Sequence, residues 1–439
     1  MAGKRTIDSE NLKQLVLRSN TSLLQYGVIL FQITAMLLLA FKTEGAIDTQ
    51  ALMFAAAMPL CTIIICKLFS RFWPIDRALL LMVIFLLSVS LVTLKAIARS
   101  PITPGEQGLY ILAGFFAMAF GIFFIRHVRS WEKWLLPLLI ISLAAVAAPL
   151  VIGTTVNGAK NWLIIKKGGT TLFSVQPSEF IKFTLVYILA ASFSRNARLR
   201  SCIPAILFSA MLCGILVLEK DLGAVLIYFL TTIALFYAAT ANLPITLAGL
   251  AAGSGAAVVA YRIMPLVQDR VALYLDPWSD PLKGGYQLVQ ALIAIGSGGM
   301  FGMGLGLGLP RNVPLYHSDF IFASIAEQYG LIFSILLIAV YVLILLRGLS
   351  IATNARTSFH ALLAFGVVCL IGLQTFINIG GNIKLIPLTG VTLPFVSAGG
   401  SSIVAMMAGM GLLLGVSSIN ANDEDDDLKR LTRREAGRA

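Results

Sequence analysis

Long apolar runs separated by short polar breaks dominate the chain. Runs near residues 25–41, 50–66, 78–96, 107–125, 134–152, 179–193, 202–218, 222–240, 243–261, 318–346, 359–380 and 402–418 approach or exceed the roughly 20 apolar residues that carry a helix across a bilayer. Their hydrophobicity is continuous rather than alternating, which predicts helices and not the strands of a β-barrel. Helices also satisfy their own backbone groups, as lipid requires. The pattern predicts an all-α polytopic membrane protein of about twelve transmembrane helices. The first run follows a polar stretch of 24 residues and lacks a small-residue cleavage site. More spans follow it, so it reads as a retained helix rather than a signal peptide.

Composition agrees. Of 439 residues, 58% are hydrophobic and 12% charged, against roughly 25% charged in soluble domains. Lys and Arg set the expected orientation. With both termini cytoplasmic, the inner segments hold 20 of the 33 Lys and Arg, the outer segments 12, and Lys182 lies in a span. The net charge of +12 then reports topology and contact with anionic membrane lipids, and no nucleic-acid partner is called for. The five cysteines fall in or at the ends of spans without metal-ligand spacing, and the three histidines are scattered, so neither a disulfide nor a zinc site is expected.

Two expected outer segments are long, 153–178 and 262–317, the second being a large extracytoplasmic loop before the last three helices. A third, 381–401, is dense in Gly, Pro, Ser and Thr. Long loops in compact proteins are usually functional or disordered, and the Trp, Pro, Gly and paired charges here favour function. The tail after Asn422 reads DEDDD and then KRLTRR, a charge-block pattern expected to be disordered and cytoplasmic.

The candidate chemistry lies on the outer side. Asp276-Pro277-Trp278-Ser279-Asp280-Pro281 places two carboxylates on a stiff backbone beside an aromatic ring. A carboxylate held against an apolar wall can serve as a general base; the alternative is an interfacial turn with solvated acids. Residues 288–295 are too few to span, so they should lie in the interface or re-enter. The glycines at 296, 298, 299, 302, 304, 306 and 308 that follow could cradle a phosphate on free N–H groups or form a hinge. Asp319 and Glu327 are two turns apart, which would put both on one helix face, and an ionisable group at membrane depth needs a partner. Glu179 and Lys182, three apart, can pair, with Ser178 as the expected N-cap. Asn157 to Trp162, Lys166, Lys167 and the turn Glu219-Lys220-Asp221 add further polar groups. Ser397 to Ser402 read as a helix N-terminus suited to an anion. Cations, acids and glycine-rich turns would thus converge on a lipid-linked anion at the outer leaflet.

Seven motifs occur in order: NGAKNW (157–162), QPSEFIKF (176–183), EKDLG (219–223), DPWSDPLKGGYQ (276–287), GMGLGLG (302–308), HSDFIFASIAEQYG (317–330) and PLTGVTLPFVSAGGSS (387–402). Together they resemble the SEDS family (shape, elongation, division and sporulation), the RodA, FtsW and SpoVE type of bacterial cell-wall protein. The resemblance runs from about Arg77 to Ser418. It implies a ten-helix catalytic core over 77–420, preceded by a cytoplasmic N-terminus and two extra helices in 1–76 and followed by a charged tail, 421–439. It implies residence in the bacterial cytoplasmic membrane and an inverting glycosyltransferase that polymerises lipid II from a chain on undecaprenyl diphosphate. Asp280 matches the family's catalytic carboxylate, the general base. Substrate contacts would fall at Lys160, Trp162, Glu179, Lys182, Asp221, Tyr286, Gln287, His317, Asp319, Glu327, Thr392, Ser397, Gly399, Gly400 and Ser401. Basic residues would stabilise the diphosphate, a task that a divalent cation (Mg2+ or Mn2+) could share, and a class B penicillin-binding protein would crosslink the product.

Four positions depart from the family's pattern. Lys220 replaces a common proline, implying a differently shaped turn; Asn161 replaces a frequent Arg; Ala398 replaces a tyrosine; and Thr389 stands where FtsW-like members often carry Lys. Two other classes of function compete. A flippase would need a polar path from the inner leaflet and ionisable groups near the midplane. A non-catalytic scaffold for a transpeptidase would need the membrane faces but not Asp280.

Overall fold

The computed structural model describes residues 21–42, 47–97, 102–128, 131–156, 158–167, 170–196, 198–282 and 284–436. Asn157, Lys283 and the N-terminal 20 residues, where parts of the expected motifs and inner charges fall, lie outside them, as do the side chains of Lys166 and Lys167. In chain order the elements are α1 (Thr21–Ala40), α2 (Thr49–Phe72), α3 (Arg77–Ala96), α4 (Pro104–His127), α5 (Leu135–Ile152), β1 (Thr154–Val156), β2 (Ala159–Lys167), β3 (Thr170–Val175), α6 (Pro177–Arg195), α7 (Leu199–Leu218) and α8 (Leu222–Thr240). Then come α9 (Leu243–Ile263), α10 (Pro265–Leu275), α11 (Tyr286–Gly298), α12 (Ile321–Thr353), α13 (Ser358–Asn382) and α14 (Gly400–Ala436).

Eleven helices among the described residues are long and apolar enough to cross a membrane, and the protein is a multi-pass membrane protein. The expected span at 179–193 is α6. Glu179, Lys182 and Arg195 make it less apolar than the rest, but protein rather than lipid surrounds it. It packs against α5, α7, α8, α13 and α14, and Ile181, Leu185, Val186 and Leu189 are buried. By contrast α9 buries only Thr246 and presents nearly its whole length to lipid.

Helix starts follow local chemistry. Asp48, Asp76, Asp221, Asn242 and Thr357 each accept a backbone N–H in the first turn of the helix they open, which satisfies donors that have no partner inside the helix. Thr103 and Glu106 form a reciprocal capping box before α4. Ser178 lies inside the first turn of α6 rather than at its N-cap, because Pro177 takes the first helical position.

Close packing in the centre rests on small residues, as expected where lipid gives helices no hydrophobic reason to associate. A Cβ on Gly121 of α4 would lie 2.8 Å from the carbonyl oxygen of Ala408 on α14, and one on Gly411 would collide with the Met118 carbonyl. At one end of the bundle Asp76 accepts from Arg347 at 3.0 Å, the Asp76 N–H donates to Ser417, and Arg126 donates to Ser418. These bonds tie α3, α4, α12 and α14 together.

Three expectations change. Segment 153–178 is not an irregular loop: β1, β2 and β3 form an antiparallel meander in that order. Its Thr, Val, Ile, Trp and Phe content suits a pleated surface, so the protein is helical with one small sheet. The charged tail, expected to be disordered, continues α14 as helix to Ala436, in keeping with its Leu, Lys, Arg, Glu and Ala content. Asp319 and Glu327 do not share a helix face, because α12 begins only at Ile321. That helix is also broken at Gly330 (φ 82°, ψ 179°), where the glycine run packs alongside it.

Gly411→Leu should force α4 and α14 apart and sharply lower the melting temperature of the purified protein. Gly27→Leu, with nothing within 4 Å of its Cβ position, should leave that temperature nearly unchanged in the same detergent.

Candidate functional site

The end of the bundle opposite the Asp76 knot gathers most of the sequence-predicted polar residues. Its centre is Asp221, which caps α8. One carboxylate oxygen accepts the Ala224 N–H at 3.1 Å. The other accepts Asn161 Nδ2 at 2.9 Å, Gln176 Nε2 at 2.9 Å and Ser178 Oγ at 3.3 Å. A carboxylate offers about four acceptor positions, so Asp221 is fully engaged with the protein and joins β2, the start of α6 and the start of α8. Lys220 makes the turn before it with φ 63°, a conformation closed to proline. The departure from the family's proline therefore accompanies a turn that proline could not make.

Lys182 lies one turn into α6 and is 3% exposed. It is paired with Glu179 at 2.7 Å and donates to Gln374 Oε1 at 2.8 Å. Gln374 in turn donates to the Thr392 carbonyl at 3.0 Å and to its Oγ1 at 3.1 Å, and Thr392 Oγ1 bonds Ser402 Oγ at 2.8 Å. A buried ammonium is tolerated when it is paired and hydrogen-bonded, and this one is. Between the Asp221 and Lys182 groups lies a cavity of about 40 Å³ lined by Gln176, Glu179, Lys182, Asp221 and Thr392, among others. That is space for a water or two, so a larger ligand must widen it.

Arg270, on the interfacial helix α10, was not among the sequence candidates. It donates to the Thr389 carbonyl at 3.3 Å. Burial lowers its pKa, while the carboxylates of Asp221 and Asp319 raise it. Burial pushes the Asp319 carboxyl up to about 6, opposed by Ser318 and Arg270. The Asp319 carbonyl accepts Asn378 Nδ2 at 3.0 Å and Asn382 Nδ2 at 2.8 Å. His317 sits beside it; burial lowers its pKa, and its carbonyl accepts the Ala398 N–H at 2.8 Å.

Asp280 lies at the rim, exposed, just after a 3₁₀ turn of Pro277–Ser279. The apolar wall that the sequence suggested does not cover it. One of its carboxylate oxygens accepts the Gly284 N–H at 3.1 Å, and its carbonyl accepts the Gly285 N–H at 2.9 Å. Gly285 is required because a Cβ there would strike the Pro277 carbonyl. Asp276 is occupied locally, accepting the Trp278 N–H at 3.0 Å. Tyr286 and Gln287 open α11, both half-buried. Tyr274 Oη and Lys384 Nζ, bonded to the carbonyls of Leu385 (3.2 Å) and Leu275 (3.4 Å), fasten α10 and the Asp280 turn to the segment before α14.

Other candidates act as struts. Lys160 Nζ donates to the Leu150 carbonyl at 2.7 Å, and half-buried Trp162 pairs with Thr154 in the meander. Ser397 Oγ donates to the Ser318 carbonyl at 2.7 Å and Ser401 Oγ to the Ser174 carbonyl at 3.2 Å. Gly399 accepts the Ile403 N–H, and Gly400 abuts the Tyr110 ring. The start of α14 is thus tied into the protein through Ser397 and Ser401. Glu327 stands apart from the Lys182 cavity, under the glycine run. Its Oε1 accepts the Leu309 N–H at 2.8 Å, and Oε2 is buried without a partner among the described residues. The run is not a free phosphate cradle, since the N–H groups of Gly302, Met303, Gly304, Gly306 and Leu309 all donate within the protein.

The family model described as "Cell cycle protein" (FtsW, RodA, SpoVE) matches residues 70–422. A probable peptidoglycan glycosyltransferase FtsW of Nitrosococcus halophilus is 39% identical, covering 71% of this chain and 81% of that protein. Stage V sporulation protein E of Bacillus subtilis is 37% identical, with 71% and 86% covered. The peptidoglycan glycosyltransferase RodA of Mycobacterium tuberculosis is 33% identical, with 79% covered on both sides. Among solved structures, one described as the structural coordination of polymerization and crosslinking by a peptidoglycan synthase complex is 27% identical with a TM-score of 0.68, covering 79% of this chain and 98% of that one. Rod shape determining protein RodA of Thermus thermophilus is 27% identical with a TM-score of 0.56, covering 78% and 96%.

Glu219 yields a pH prediction. It is 1% exposed, and burial together with the Asp221 charge pushes its pKa from 4.5 up to about 8. The folded protein therefore binds a proton there that the unfolded chain releases, and stability falls as pH rises between about 4.5 and about 8, then levels off. Glu219→Gln should flatten that part of the melting-temperature profile in buffers from pH 5 to 9.

Proposed function

The chain belongs to the FtsW, RodA and SpoVE family, and from that membership we propose that it is a peptidoglycan glycosyltransferase that polymerises lipid II at the outer face of the bacterial cytoplasmic membrane. The observation that carries the reading is the arrangement at one end of the bundle: an exposed carboxylate, Asp280, on a turn next to α10, beside a polar cluster that runs from half-buried Arg270 to buried Lys182. The excess of Lys and Arg at the opposite end supports an outward orientation for this one.

In this reading Asp280 takes the proton from the acceptor sugar hydroxyl. The resulting oxygen attacks the anomeric carbon from the face opposite the diphosphate, so the centre inverts. The carbon–oxygen bond to the diphosphate breaks, and undecaprenyl diphosphate leaves with the electron pair. Negative charge grows on that leaving group. Fixed cations are worth most where charge develops, which gives Arg270 and Lys384 their role at the rim and Lys182 its role when the cavity widens. Among the described residues no three His, Cys, Asp or Glu side chains converge. A divalent cation would be held there by one carboxylate together with substrate phosphate oxygens, and half-buried Asp319, beside Arg270, is the carboxylate that would hold it. Such an ion would add charge neutralisation at the diphosphate. A class B penicillin-binding protein is the expected partner, consistent with a structural relative described as coordinating polymerization with crosslinking. A flippase reading gains little from the paired Lys182–Glu179–Gln374 network, which ties helices together rather than lining a path.

Purified protein supplied with lipid II, with and without the partner, should form glycan strands resolvable on gels. Asp280→Asn should lower the rate by about 10²–10⁴-fold while leaving the melting temperature within a few degrees. Full activity in that variant would remove Asp280 from the role of base. Absence of strands from the folded wild type with its partner would shift the reading to a scaffold.

A further inference from the structure

The hairpin α1–α2 lies almost wholly before residue 70, where the family match begins, so it is an addition to the shared core. It is fastened to that core at three levels. Near the Asp76 end, Gln25 accepts from the Arg77 guanidinium. Within the bundle, Gln32 Nε2 donates to Thr62 Oγ1 at 2.9 Å and to Ser88 Oγ of α3 at 2.7 Å. Phe31 stacks on Phe333 of α12 at 5.9 Å, three residues beyond the break at Gly330. At the end that carries the site, Asp48 pairs with Lys95 at 2.8 Å, and Gln50 accepts from the same ammonium at 2.8 Å. From there the chain places Lys42 against the glycine run, where its ammonium donates to the Gly306 carbonyl.

Gly306 has φ 71°, so the run depends on a glycine to make this turn. The run's other bonds go mainly to α12: the Gly306 N–H donates to Gln328 Oε1 at 3.0 Å, the Met303 N–H to the Glu327 carbonyl at 2.8 Å and the Leu309 N–H to Glu327 Oε1 at 2.8 Å. The Gly302 N–H donates to the Gly298 carbonyl of α11 at 2.8 Å, and Gly306 lies against the Ala96 carbonyl of α3. Beyond the run the chain enters the His317–Asp319 turn, whose carbonyls are gripped by Ala398, Ser397, Asn378 and Asn382. Segment 302–320 is therefore held at its far end by core residues. At its near end it is bonded to Gly298, Glu327 and Gln328 of the core and to one residue from outside it.

We infer that Lys42 is a positioning residue: the added hairpin acts in cis to hold the glycine run, and through it the His317–Asp319 turn, in the arrangement that the polymerase site uses. The inference rests on the polymerase reading for its activity readout only. Lys42 is exposed and, among the described residues, makes one hydrogen bond, to a neutral carbonyl, so its loss should barely affect global stability. A small displacement of a positioned group, by contrast, can cost a large factor in rate.

The test uses full-length Lys42→Ala, Lys42→Arg and, as a control within the hairpin that removes the bonds to Thr62 and Ser88 without touching Gly306, Gln32→Leu. Amide hydrogen exchange is read across 302–320 and lipid II polymerisation is measured at varied substrate. In Lys42→Ala, exchange should rise within 302–320 while α13 and α14 stay protected, and kcat should fall about tenfold with little change in KM. Lys42→Arg should restore both, and Gln32→Leu should resemble wild type in both. Unchanged exchange and kcat in Lys42→Ala would overturn the inference, as would equal effects from Gln32→Leu, which would make the role general packing. If wild type forms no strands, the polymerase reading fails, while the exchange data still decide whether Lys42 holds the run.

Discussion

The Asp221 carboxylate accepts hydrogen bonds from Asn161, Gln176, Ser178 and Ala224, and these come from three parts of the chain: β2, the start of α6 and the start of α8. A hydrogen bond to a charged group contributes roughly 1.5–3 kcal/mol, and a buried donor left without its acceptor costs about as much again. The meander, the start of α6 and the start of α8 are therefore joined through one side chain. Its position follows from its capping role, since the residue that opens α8 must place its carboxylate over the helix N-terminus. The neighbouring Lys182 network extends the same constraint through Gln374 to Thr392 and Ser402, so α6, α13 and α14 are locked to the same centre.

Around this fixed centre the charged groups divide by how fully they are paired. Asp221, Lys182 and Glu179 are occupied and buried or nearly so, which suits them to hold geometry. Asp280 is exposed, with one oxygen tied to Gly284 and the other free of hydrogen bonds from the described residues, which suits it to exchange a proton. Arg270 and Asp319 lie between the two, near enough to influence each other electrostatically and attached to backbone carbonyls or amides. A buried frame that carries a less constrained reactive group at its rim is what catalysis by positioned side chains requires.

Much of this could be read from the chain. The apolar runs marked the spanning helices, and the three-residue spacing of Glu179 and Lys182 marked their ion pair, whereas the one expected cap, Ser178, gave way to Gln176. The meander was missed because flanking spans made 153–178 look like a connection, although its β-branched and aromatic residues were visible. Arg270 was missed for a different reason. Nothing local distinguishes it from any basic residue on an interfacial helix, and its importance arises only when folding brings Asp221, Asp319 and Thr389 beside it. The glycine run misled in the opposite direction. Its N–H groups looked available for a phosphate, but the break at Gly330 frees the Glu327 and Gln328 carbonyls to take those of Met303 and Gly304, and the Gly298 carbonyl and the Gln328 and Glu327 side chains take those of Gly302, Gly306 and Leu309. Likewise the shared face assumed for Asp319 and Glu327 required a helix that starts two residues too late.

Hydrogen exchange over 154–178 in Asp221→Asn, set beside wild type, tests the account most directly. An amide cannot accept four hydrogen bonds, so the account predicts lost protection through the meander and the first turn of α6, with α3 and α13 unaffected. Unchanged protection over 154–178 would contradict the claim that this carboxylate organises the site.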